Sequence, residues 1–350
     1  MPKISNQKID VIAPNLKRRL SGVTATIVRL VPLQNEKLGV VATGPGLPDD
    51  IPHISLWRAA FLGRRKWRVW HARRNTEMLL GLFLRHVLRR RFKLLFTSGS
   101  QRVHSRYAAW LVTKMDAVIA TSKKTAGYLK NPPTVILHGI DTGTFSPPKN
   151  QADTRQKLGL PPSAKIIGCY GRIRAQKGTD VFVDAAIELA QKHNDLVAIV
   201  MGRATDPYVK FEAELKARVT HANLADRILF LPEVPVHEMA SWYQVLDLFI
   251  APQRWEGFGL TPIEAMACGV PTVATRVGAF EELVVDGQTG ALIDAGNTDQ
   301  MVSAADTLLS DDNLRQTQGQ QALTHIDAHF KLQREADQII DVYRQLLSEC

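Results

Sequence analysis

The segment "LDLFIAPQRWEGFGLTPIEAMACGVP", residues 246–271, contains the elements of one fold unit in consecutive order. Its apolar start predicts a short buried β-strand, and the glycines after Glu256 predict a turn. The stretch from Thr261 to Glu264 has the spacing of a helix N-terminus with a capping box, and Gly269 marks the predicted helix end. A strand, a glycine-rich turn and a helix are the repeating unit of a parallel α/β sheet. Such a helix N-terminus also favours an anion, because its free N–H groups and its dipole attract negative charge.

Similar strand and helix signals alternate along the rest of the chain. The runs "KIDVIAP", "KLGVVATG" and "KLLFTS" predict strands in the first half, and "AKIIGCYG", "LVAIVMG" and "PTVAT" predict strands in the second. A segment rich in proline and polar residues, 146–164, is typical of a linker. We therefore expect an α/β fold with two doubly wound, Rossmann-like parallel-sheet domains, residues 1–150 and 151–330, facing each other across a cleft. The last residues, about 330–350, predict an amphipathic helix that can pack back on the first domain.

The composition is that of a soluble globular protein. Of the 350 residues, 45% are hydrophobic and 22% are charged, and this length favours two domains over one. The sequence has no apolar run of about 18 residues, and its first residues lack the apolar centre of a signal peptide, so we expect a cytoplasmic protein without a membrane-spanning helix. Cys169, Cys268 and Cys350 are odd in number and far apart, which argues against a disulfide framework and a zinc site.

Charge is distributed unevenly between the two halves. Residues 1–150 contain 26 Lys and Arg against 7 Asp and Glu, a net charge of +19, whereas residues 151–350 contain 18 against 27, a net charge of −9. Together they give the net charge of +10 of the whole chain. A basic half of this size predicts contact with an anionic partner.

Two loops of the second half carry charged residues that suit a ligand. In "YGRIRAQKGTD", Arg172 and Lys177 flank a loop that leads into a predicted helix at Thr179. Two cations beside a helix N-terminus favour a polyanion such as a diphosphate, although two solvated surface cations would give the same pattern. Glu256 and Glu264 bracket the other loop. Glu264 could serve only the capping box, and Glu256 could be a solvated charge.

The combined motifs resemble those of a known enzyme family. "GR(x)4KG", "EGFGLxxxEAMACGxPxVAT", "GAFEELVxDGxTG" and "HGID" are similar to motifs of the family 4 retaining glycosyltransferases, which have the two-domain GT-B fold. "APNLKRRLSGVTATIVRLVPLQ" and "VWHARRN" resemble, more narrowly, the mannosyltransferases of lipopolysaccharide core assembly. The resemblance implies an enzyme that moves mannose from GDP-mannose to a lipopolysaccharide inner-core acceptor at the cytoplasmic membrane face. No residue decides the donor, so a UDP-sugar donor for another envelope glycan, or a nucleotide-sugar epimerase or hydrolase, is the alternative.

The resemblance also implies which residues hold the donor. Glu256 contacts hydroxyls of the donor sugar, and Glu264 accepts hydrogen bonds from the nucleotide ribose. Arg172 and Lys177 bind the diphosphate and stabilise its charge as it leaves. Val234, after the predicted strand "RILFLP", lines the base pocket. Backbone N–H groups meet the sugar and the diphosphate at Gly257, Phe258, Gly259 and Leu260.

The first half departs from the family pattern in two places. Ser21 replaces one of two glycines that approach the phosphates, while Gly22 still permits close backbone approach. Relatives carry a histidine at the end of the strand "KLLFTS", where this chain has Thr97 and a serine. His104 or His71 could supply the catalytic imidazole, and a hydroxyl or a backbone carbonyl could equally take that role.

The implied mechanism is independent of metal ions and of cofactors. The chain contains no Asp-x-Asp motif, with which other glycosyltransferases bind a metal–diphosphate complex. Family analogy gives a front-face reaction with retention, in which the leaving diphosphate helps to deprotonate the acceptor. A double displacement would need a nucleophile and a second carboxylate, and the sequence shows no convincing pair of this kind near the motifs.

The basic half predicts the remaining partners. The stretch "LWRAAFLGRRKWRVWHARRN", residues 56–75, interleaves Trp57, Trp67 and Trp70 with seven Lys and Arg, which suits an anionic lipid surface. Alternatively, the tryptophans belong to the core and the arginines are solvated, or the cations bind acceptor phosphates. The expected partners are a nucleotide-sugar donor, an anionic glycolipid acceptor and an anionic membrane surface. Nucleic acid is not expected, because the donor motifs lie in the acidic half.

Overall fold

The computed structural model describes residues 8–18 and 22–349, which form an α/β structure with two parallel sheets. The described chain divides into two compact units. Ile140–Lys331 form the second unit. The first unit combines the residues up to Gly139 with the helix that starts at Leu332.

The first unit contains a seven-stranded sheet in which all neighbouring strands run parallel. Numbered along the chain, its strands are β1 (Val11–Pro14), β2 (Val40–Thr43), β3 (His53–Ile54), β4 (Arg68–Ala72), β5 (Phe92–Ser98), β6 (Ala117–Ala120) and β7 (Thr134–Val135). Their spatial order is β3-β2-β1-β4-β5-β6-β7. The helices are α1 (Gly22–Lys37), α2 (Leu56–Ala60), α3 (Asn75–His86), α4 (Arg106–Val112), α5 (Lys123–Ala126) and, at the end of the chain, α14 (Leu332–Ser348).

Alternate side chains of this sheet belong to two separate cores, one on each face. Val11 and Ala13 point to the core that α1 and α14 cover, whereas Ile12 points to the core that α2, α3 and α4 cover. The amphipathic C-terminal helix contributes residues such as Ile339 and Tyr343 to the first of these cores. The apolar face of this helix is thereby buried in the core of the first unit.

The tryptophans of the basic stretch do not share one environment. Trp70 is 0% exposed, and its indole Nε1 donates a hydrogen bond to the Glu77 carbonyl at 2.9 Å. Arg68 is also buried and donates to the carbonyls of Ile9 and Gly63. The prediction that Trp70 lies at a lipid surface is therefore wrong, because β4 is an interior strand and its side chains are covered on both faces. Trp57 is 76% exposed, as predicted.

The second unit contains a six-stranded parallel sheet of order β10-β9-β8-β11-β12-β13. Its strands are β8 (Lys165–Tyr170), β9 (Leu196–Met201), β10 (Ile228–Leu231), β11 (Leu248–Ala251), β12 (Thr272–Thr275) and β13 (Gly290–Ile293). Its helices are α6 (Gln151–Lys157), α7 (Thr179–Lys192), α8 (Val209–His221), α9 (Met239–Gln244), α10 (Thr261–Ala267), α11 (Phe280–Leu283), α12 (Thr298–Ser310) and α13 (Asp312–His329). The predicted alternation of strands and helices is confirmed in both units.

The segment 146–164 packs against the second unit. Its helix α6 places Arg155 in a buried position, 5% exposed. The Arg155 guanidinium donates to the Val245 and Ala164 carbonyls, both at 2.9 Å, and pairs with Asp247 at 2.7 Å. These contacts hold the segment against the loop before β11.

The order of the second sheet reverses between its central neighbours β8 and β11. The strands after β8 add on one side, and the strands after β11 add on the other. Ligands of open α/β sheets bind at such a reversal, outside the carboxyl ends of the two strands. A ligand is therefore expected at the loops that follow β8 and β11. Among the described helices, none is long and apolar enough to cross a membrane.

Candidate active site

Two residues that the sequence singled out meet at this reversal. Lys177 ends a 3₁₀ turn after β8, and Glu256 lies in the loop after β11. The Lys177 ammonium forms an ion pair and hydrogen bond with the Glu256 carboxylate, and both side chains are about one-fifth exposed, at 22% and 17%. Arg172 follows β8 with an exposed side chain, and no hydrogen-bond or ion-pair partner is found for its guanidinium among the described residues. Two cations and one carboxylate thus lie on neighbouring loops.

A glycine permits this close approach of the two loops. Gly178 is the N-cap residue of α7 and has a φ of +69°. A Cβ atom at this position would lie 1.9 Å from the Pro252 carbonyl oxygen. Only glycine fits, because the backbones of the loops after β8 and β11 are in direct contact here.

Gly178→Ala is therefore expected to lower the free energy of unfolding by about 3 kcal/mol. Both the left-handed backbone conformation and the clash of the new Cβ with the Pro252 carbonyl are unfavourable. Gly159→Ala is the matched control. Gly159 has a similar φ of +71°, but a Cβ there meets nothing within 4 Å. It should cost about 1 kcal/mol, from the left-handed backbone alone. Denaturant unfolding of both variants measures the difference, and equal losses would contradict the close contact.

Arg254 connects the same two loops, although no sequence motif indicates this role. Its guanidinium forms a bidentate ion pair with Asp180 in the first turn of α7, with N–O distances of 2.7 and 2.9 Å. It also donates to the Ala175 carbonyl at 2.6 Å, and its backbone N–H donates to the Gln176 carbonyl at 3.0 Å. The hydrogen bond with Asp180 raises the pKa of Arg254. This residue fixes the position of the loop that carries Glu256 relative to the loop that carries Lys177.

The glycine-rich turn holds the Glu256 side chain from several sides. One carboxylate oxygen accepts the N–H of Gly257 at 2.9 Å. A Cβ on Gly259, which has a φ of +83°, would come within 2.9 Å of the Glu256 Cγ and 2.3 Å of the Phe280 ring. Phe258, which lies between Gly257 and Gly259 in the sequence, is buried at 7% exposure, and Leu260 is half-buried. The turn therefore limits the conformations that are open to the Glu256 carboxylate.

Glu264 lies at the start of α10, but the predicted capping box is wrong. The N-cap residue is Leu260, whose φ of −77° and ψ of −24° are already helical, so the helix begins earlier and Thr261 lies inside it. Leu260 has no polar side-chain atom with which to cap. One oxygen of Glu264 instead accepts the hydroxyl hydrogen of the buried Tyr243, at 2.7 Å. Tyr243 thus positions a carboxylate at the N-terminal end of α10.

A small cavity lies between these loops and the carboxyl end of β8. Gln253 is 3% exposed, and no hydrogen-bond partner is found for its Oε1 within the described residues. Burial raises the pKa of the Cys169 thiol to about 12, so this thiol stays protonated and is a poor nucleophile. The cavity lining comprises Cys169, Tyr170, Gly171, Arg172, Lys177, Thr179, Val200 and Gln253.

Two other residues that were predicted to contact the donor, Val234 and Gly22, are not part of the loops after β8 and β11. Val234 is half-buried in the loop after β10, two strands away from β8. Gly22 is the first residue of α1 in the other unit, and a Cβ there would meet nothing within 4 Å. Ser21, which precedes it, lies outside the described residues.

The histidine candidates of the first unit have different surroundings. His71, at the end region of β4, is 0% exposed. Its Nε2 lies 2.6 Å from the Thr97 hydroxyl, and its Nδ1 lies 2.7 Å from the Tyr343 hydroxyl on α14. His104 lines a separate groove beside α4, and its Nε2 is shielded without a partner among the described residues. Burial lowers the pKa of His104 below 6.5.

The buried imidazole of His71 should make the stability of the protein depend on pH. Burial, and secondly the Arg73 guanidinium, lower the pKa of His71 well below 6.5. The unfolded chain therefore binds a proton near pH 6.5 that the folded chain does not bind, and the free energy of unfolding falls as the pH drops below this value. The limiting slope is about 1.4 kcal/mol per pH unit.

His71→Gln, which cannot take up this proton, should flatten the dependence of stability on pH between about 6.5 and 5. Urea unfolding of parent and variant at several pH values gives the difference between the two slopes. His104 and His325 also have lowered pKa values, so only this difference reports on His71. Parallel curves for parent and variant would show that His71 is not the titrating group.

The chain is similar to known proteins over nearly its whole length. The profile of the family "Glycosyl transferases group 1" matches residues 150–325. "Lipopolysaccharide core biosynthesis mannosyltransferase LpsB" of Rhizobium meliloti (strain 1021) is 50% identical, with 97% of this chain and 98% of the relative covered. "Lipopolysaccharide core biosynthesis mannosyltransferase LpcC" of Rhizobium leguminosarum bv. viciae is 48% identical, with 100% and 99% covered.

A solved structure supports the fold. The crystal structure of Anabaena Alr3699/HepE in complex with UDP superposes with a TM-score of 0.83, covers 96% of this chain and 100% of its own, and is 19% identical in sequence. The predicted fold class, GT-B with two Rossmann-like parallel-sheet domains, is confirmed.

Proposed function

We propose that this chain, which belongs to the group 1 glycosyltransferases, transfers mannose from GDP-mannose to the inner core of a lipopolysaccharide with retention of configuration. The two Rhizobium relatives, which are named as mannosyltransferases of lipopolysaccharide core biosynthesis, support the sugar and the acceptor. The observation that carries the proposal is the contact between Lys177 and Glu256 where the second sheet reverses. In this contact, a cation that suits a diphosphate, Lys177, lies next to a carboxylate that suits sugar hydroxyls, Glu256.

The proposed donor site follows from the charges of these groups. The diphosphate is bound by Lys177 and Arg172 and faces the N-terminus of α7, where N–H groups and the helix dipole favour negative charge. Glu256 accepts hydrogen bonds from hydroxyls of the hexose, since a carboxylate is an acceptor only. Glu264, oriented by Tyr243, accepts hydrogen bonds from the ribose hydroxyls.

The proposed reaction proceeds on one face of the sugar. As the bond from the anomeric carbon to the diphosphate oxygen breaks, negative charge grows on the diphosphate, and Lys177 and Arg172 stabilise it. The same leaving oxygen accepts the proton of the acceptor hydroxyl while the new glycosidic bond forms. In the described part of the site, Lys177 already engages Glu256, and Cys169 stays protonated. Both facts disfavour a covalent glycosyl intermediate on these residues.

The preferred donor nucleotide is identified by its effect on the thermal stability of the protein. Thermal unfolding in the presence of GDP, GDP-mannose, UDP and UDP-glucose at equal concentrations compares their affinities, because a ligand of the folded state raises the Tm. We expect the largest rise with the guanosine compounds. A rise with UDP-glucose alone would favour the alternative, a UDP-sugar donor, which is the nucleotide that the Anabaena structure contains. Release of free mannose without acceptor would instead favour a hydrolase.

We also propose that the reaction needs no divalent metal ion, because Lys177, Arg172 and the α7 N-terminus provide positive charge at the diphosphate. Activity is therefore expected to survive an excess of EDTA within a factor of about two. The control is a metal-dependent glycosyltransferase assayed in the same buffer. Complete loss of activity with EDTA, restored by added Mg²⁺ or Mn²⁺, would contradict the metal-independent mechanism.

The proposed place of action is the cytoplasmic face of the membrane, where the protein is peripheral. The net charge of +19 in residues 1–150 would attract the phosphates and carboxylates of an inner core as well as anionic lipids. Nucleic acid is not a proposed partner, because the ligand-binding loops described above lie in the acidic half. Separation of a cell lysate into soluble and membrane fractions at low and high salt tests this location.

A further inference from the structure

The outer surface of one helical layer in the first unit is rich in exposed apolar side chains. α2, α3 and α4 pack on the same face of the sheet, because Ala59, Leu82 and Leu111 belong to one core. Of the fourteen large apolar side chains that are exposed among the described residues, nine lie between residues 56 and 110. We call this surface the α2–α4 face. Its apolar members are Leu56, Trp57, Phe61, Leu79, Phe83, Val87, Val103, Tyr107 and Trp110.

The first part of the α2–α4 face is held together by side-chain contacts. The rings of Trp57 and Phe61 lie 4.6 Å apart, and the Arg90 guanidinium lies over the Phe61 ring at 5.2 Å. Arg64 donates to the Leu88 carbonyl at 3.2 Å, so the loop after α2 touches the end of α3. The aromatic pair of α2 therefore adjoins the C-terminal end of α3.

The rest of the face continues along α3 and α4. Leu79, Phe83 and Val87 are spaced four residues apart, which places them along one side of a helix. α3 and α4 pack against each other, and the rings of Tyr107 and Trp110 on α4 are stacked at 6.3 Å. Soluble monomers rarely expose a large apolar patch unless it binds something.

The charges of this region have one sign. Residues 56–114 contain fifteen Lys and Arg but a single carboxylate, Glu77, which is 0% exposed and paired with Arg74. Within the part of the chain that the structure describes, four exposed arginines of the region form neither an ion pair nor a side-chain hydrogen bond, and they are Arg65, Arg89, Arg91 and Arg106. Exposed aromatic rings among unpaired arginines suit an interface of apolar chains and negative headgroups.

We infer that the α2–α4 face docks on a bilayer that contains anionic lipid, with Trp57, Phe61 and Phe83 at the level of the headgroups and the arginines on lipid phosphates. The inference rests on the proposed function, because it explains how an enzyme would reach an acceptor that is anchored in a membrane. A second copy of this chain is a poorer occupant, since a symmetric contact would place arginines against arginines.

Flotation with vesicles tests this inference. The full chain is mixed with vesicles of phosphatidylcholine alone, or of equal parts phosphatidylcholine and phosphatidylglycerol, at low and high salt. We expect it to float only with the anionic vesicles and to be released by salt, because screening weakens the attraction between exposed charges. The assay needs no sugar transfer, so its result is independent of the proposed reaction.

Two variants of the face separate its apolar and charged parts. Trp57→Ser combined with Phe83→Ser should weaken partitioning about tenfold. Its control is Val209→Ser with Val236→Ser, which removes exposed apolar side chains from the second unit. Arg65→Ser, Arg89→Ser and Arg91→Ser together should weaken partitioning about a hundredfold. Its control replaces three exposed lysines of the second unit by serine, at Lys149, Lys157 and Lys210.

Both face variants should keep the Tm rise with nucleotide that the parent shows, which demonstrates that they fold. Flotation of both face variants at the parent level would overturn the inference, and so would a parent that ignores anionic vesicles. A dimer in solution that the Trp57/Phe83 variant disrupts would also overturn it, because a second copy would then cover the face. A chain that floats as expected but fails to use GDP-mannose would contradict the proposed function and leave this inference standing.

Discussion

Lys177→Ala is expected to lower kcat/KM by about two to three orders of magnitude, which corresponds to an activation free energy that is about 3 to 4 kcal/mol higher. The reason is that a preorganised cation next to a leaving diphosphate stabilises the negative charge that develops in the transition state. The structure adds a second reason. Lys177 is the ion-pair partner of Glu256, so its loss leaves that carboxylate without its observed counterion next to the place where a diphosphate would bind. Two like charges in one site repel each other and disfavour the donor.

The measurement is a steady-state assay of sugar transfer at several donor concentrations. Lys210→Ala is the matched control, since Lys210 is an exposed lysine of the same unit and lies on α8. Lys177→Arg should recover part of the activity, because it keeps the charge but changes the geometry. If Lys177→Ala retained activity within a factor of about three of the parent, the assignment of the diphosphate site would be wrong.

Glu256→Gln is expected to lower kcat by about a hundredfold and to change KM much less. A hexose hydroxyl can donate to either oxygen of a carboxylate, whereas an amide offers one acceptor and a nitrogen that only donates. The sugar would then bind with its anomeric carbon displaced, and small displacements from the reactive geometry have large effects on rate. A drop in kcat and in kcat/KM by the same factor would indicate a contact that matters in the transition state.

The ion pair makes a sharper test available. Because Lys177 and Glu256 touch each other, the effects of Lys177→Ala and Glu256→Gln should not add in the double variant. Glu214→Gln serves as the control, since Glu214 is an exposed carboxylate on α8. Strict additivity of the two effects on kcat/KM would mean that the residues act independently. Full activity of Glu256→Gln would contradict its role in holding the sugar.

The strands and the two loops could be predicted because each depends on local sequence. A parallel strand is covered on both faces, so it is a short continuous apolar run such as "KIIGC" or "LFIA". A loop between such a run and a helix must lie at the carboxyl end of the sheet. These two rules place Lys177 and Glu256 at one edge without any knowledge of their contact.

The contacts across the loops could not be predicted in this way. Arg254 and Asp180 are 74 residues apart in the chain. The local sequence "PQRW" does not distinguish an arginine that joins two loops from an arginine that is only solvated. The helix start at α10 depends on the backbone of Leu260, which is the N-cap residue in the structure, whereas the sequence pattern assigned the N-cap to Thr261. Likewise, the spacing of Trp57 and Trp70 among arginines gives no information on which ring faces the core.

The anomeric configuration of the product shows whether the chain transfers mannose with retention. The chain is incubated with GDP-α-mannose and a water-soluble inner-core acceptor from which the lipid has been removed, and the product is examined by ¹H NMR. We expect a new α-mannosyl linkage, together with release of GDP in equal amount. A β-mannosyl linkage, or free mannose without any glycosylated acceptor, would contradict this expectation.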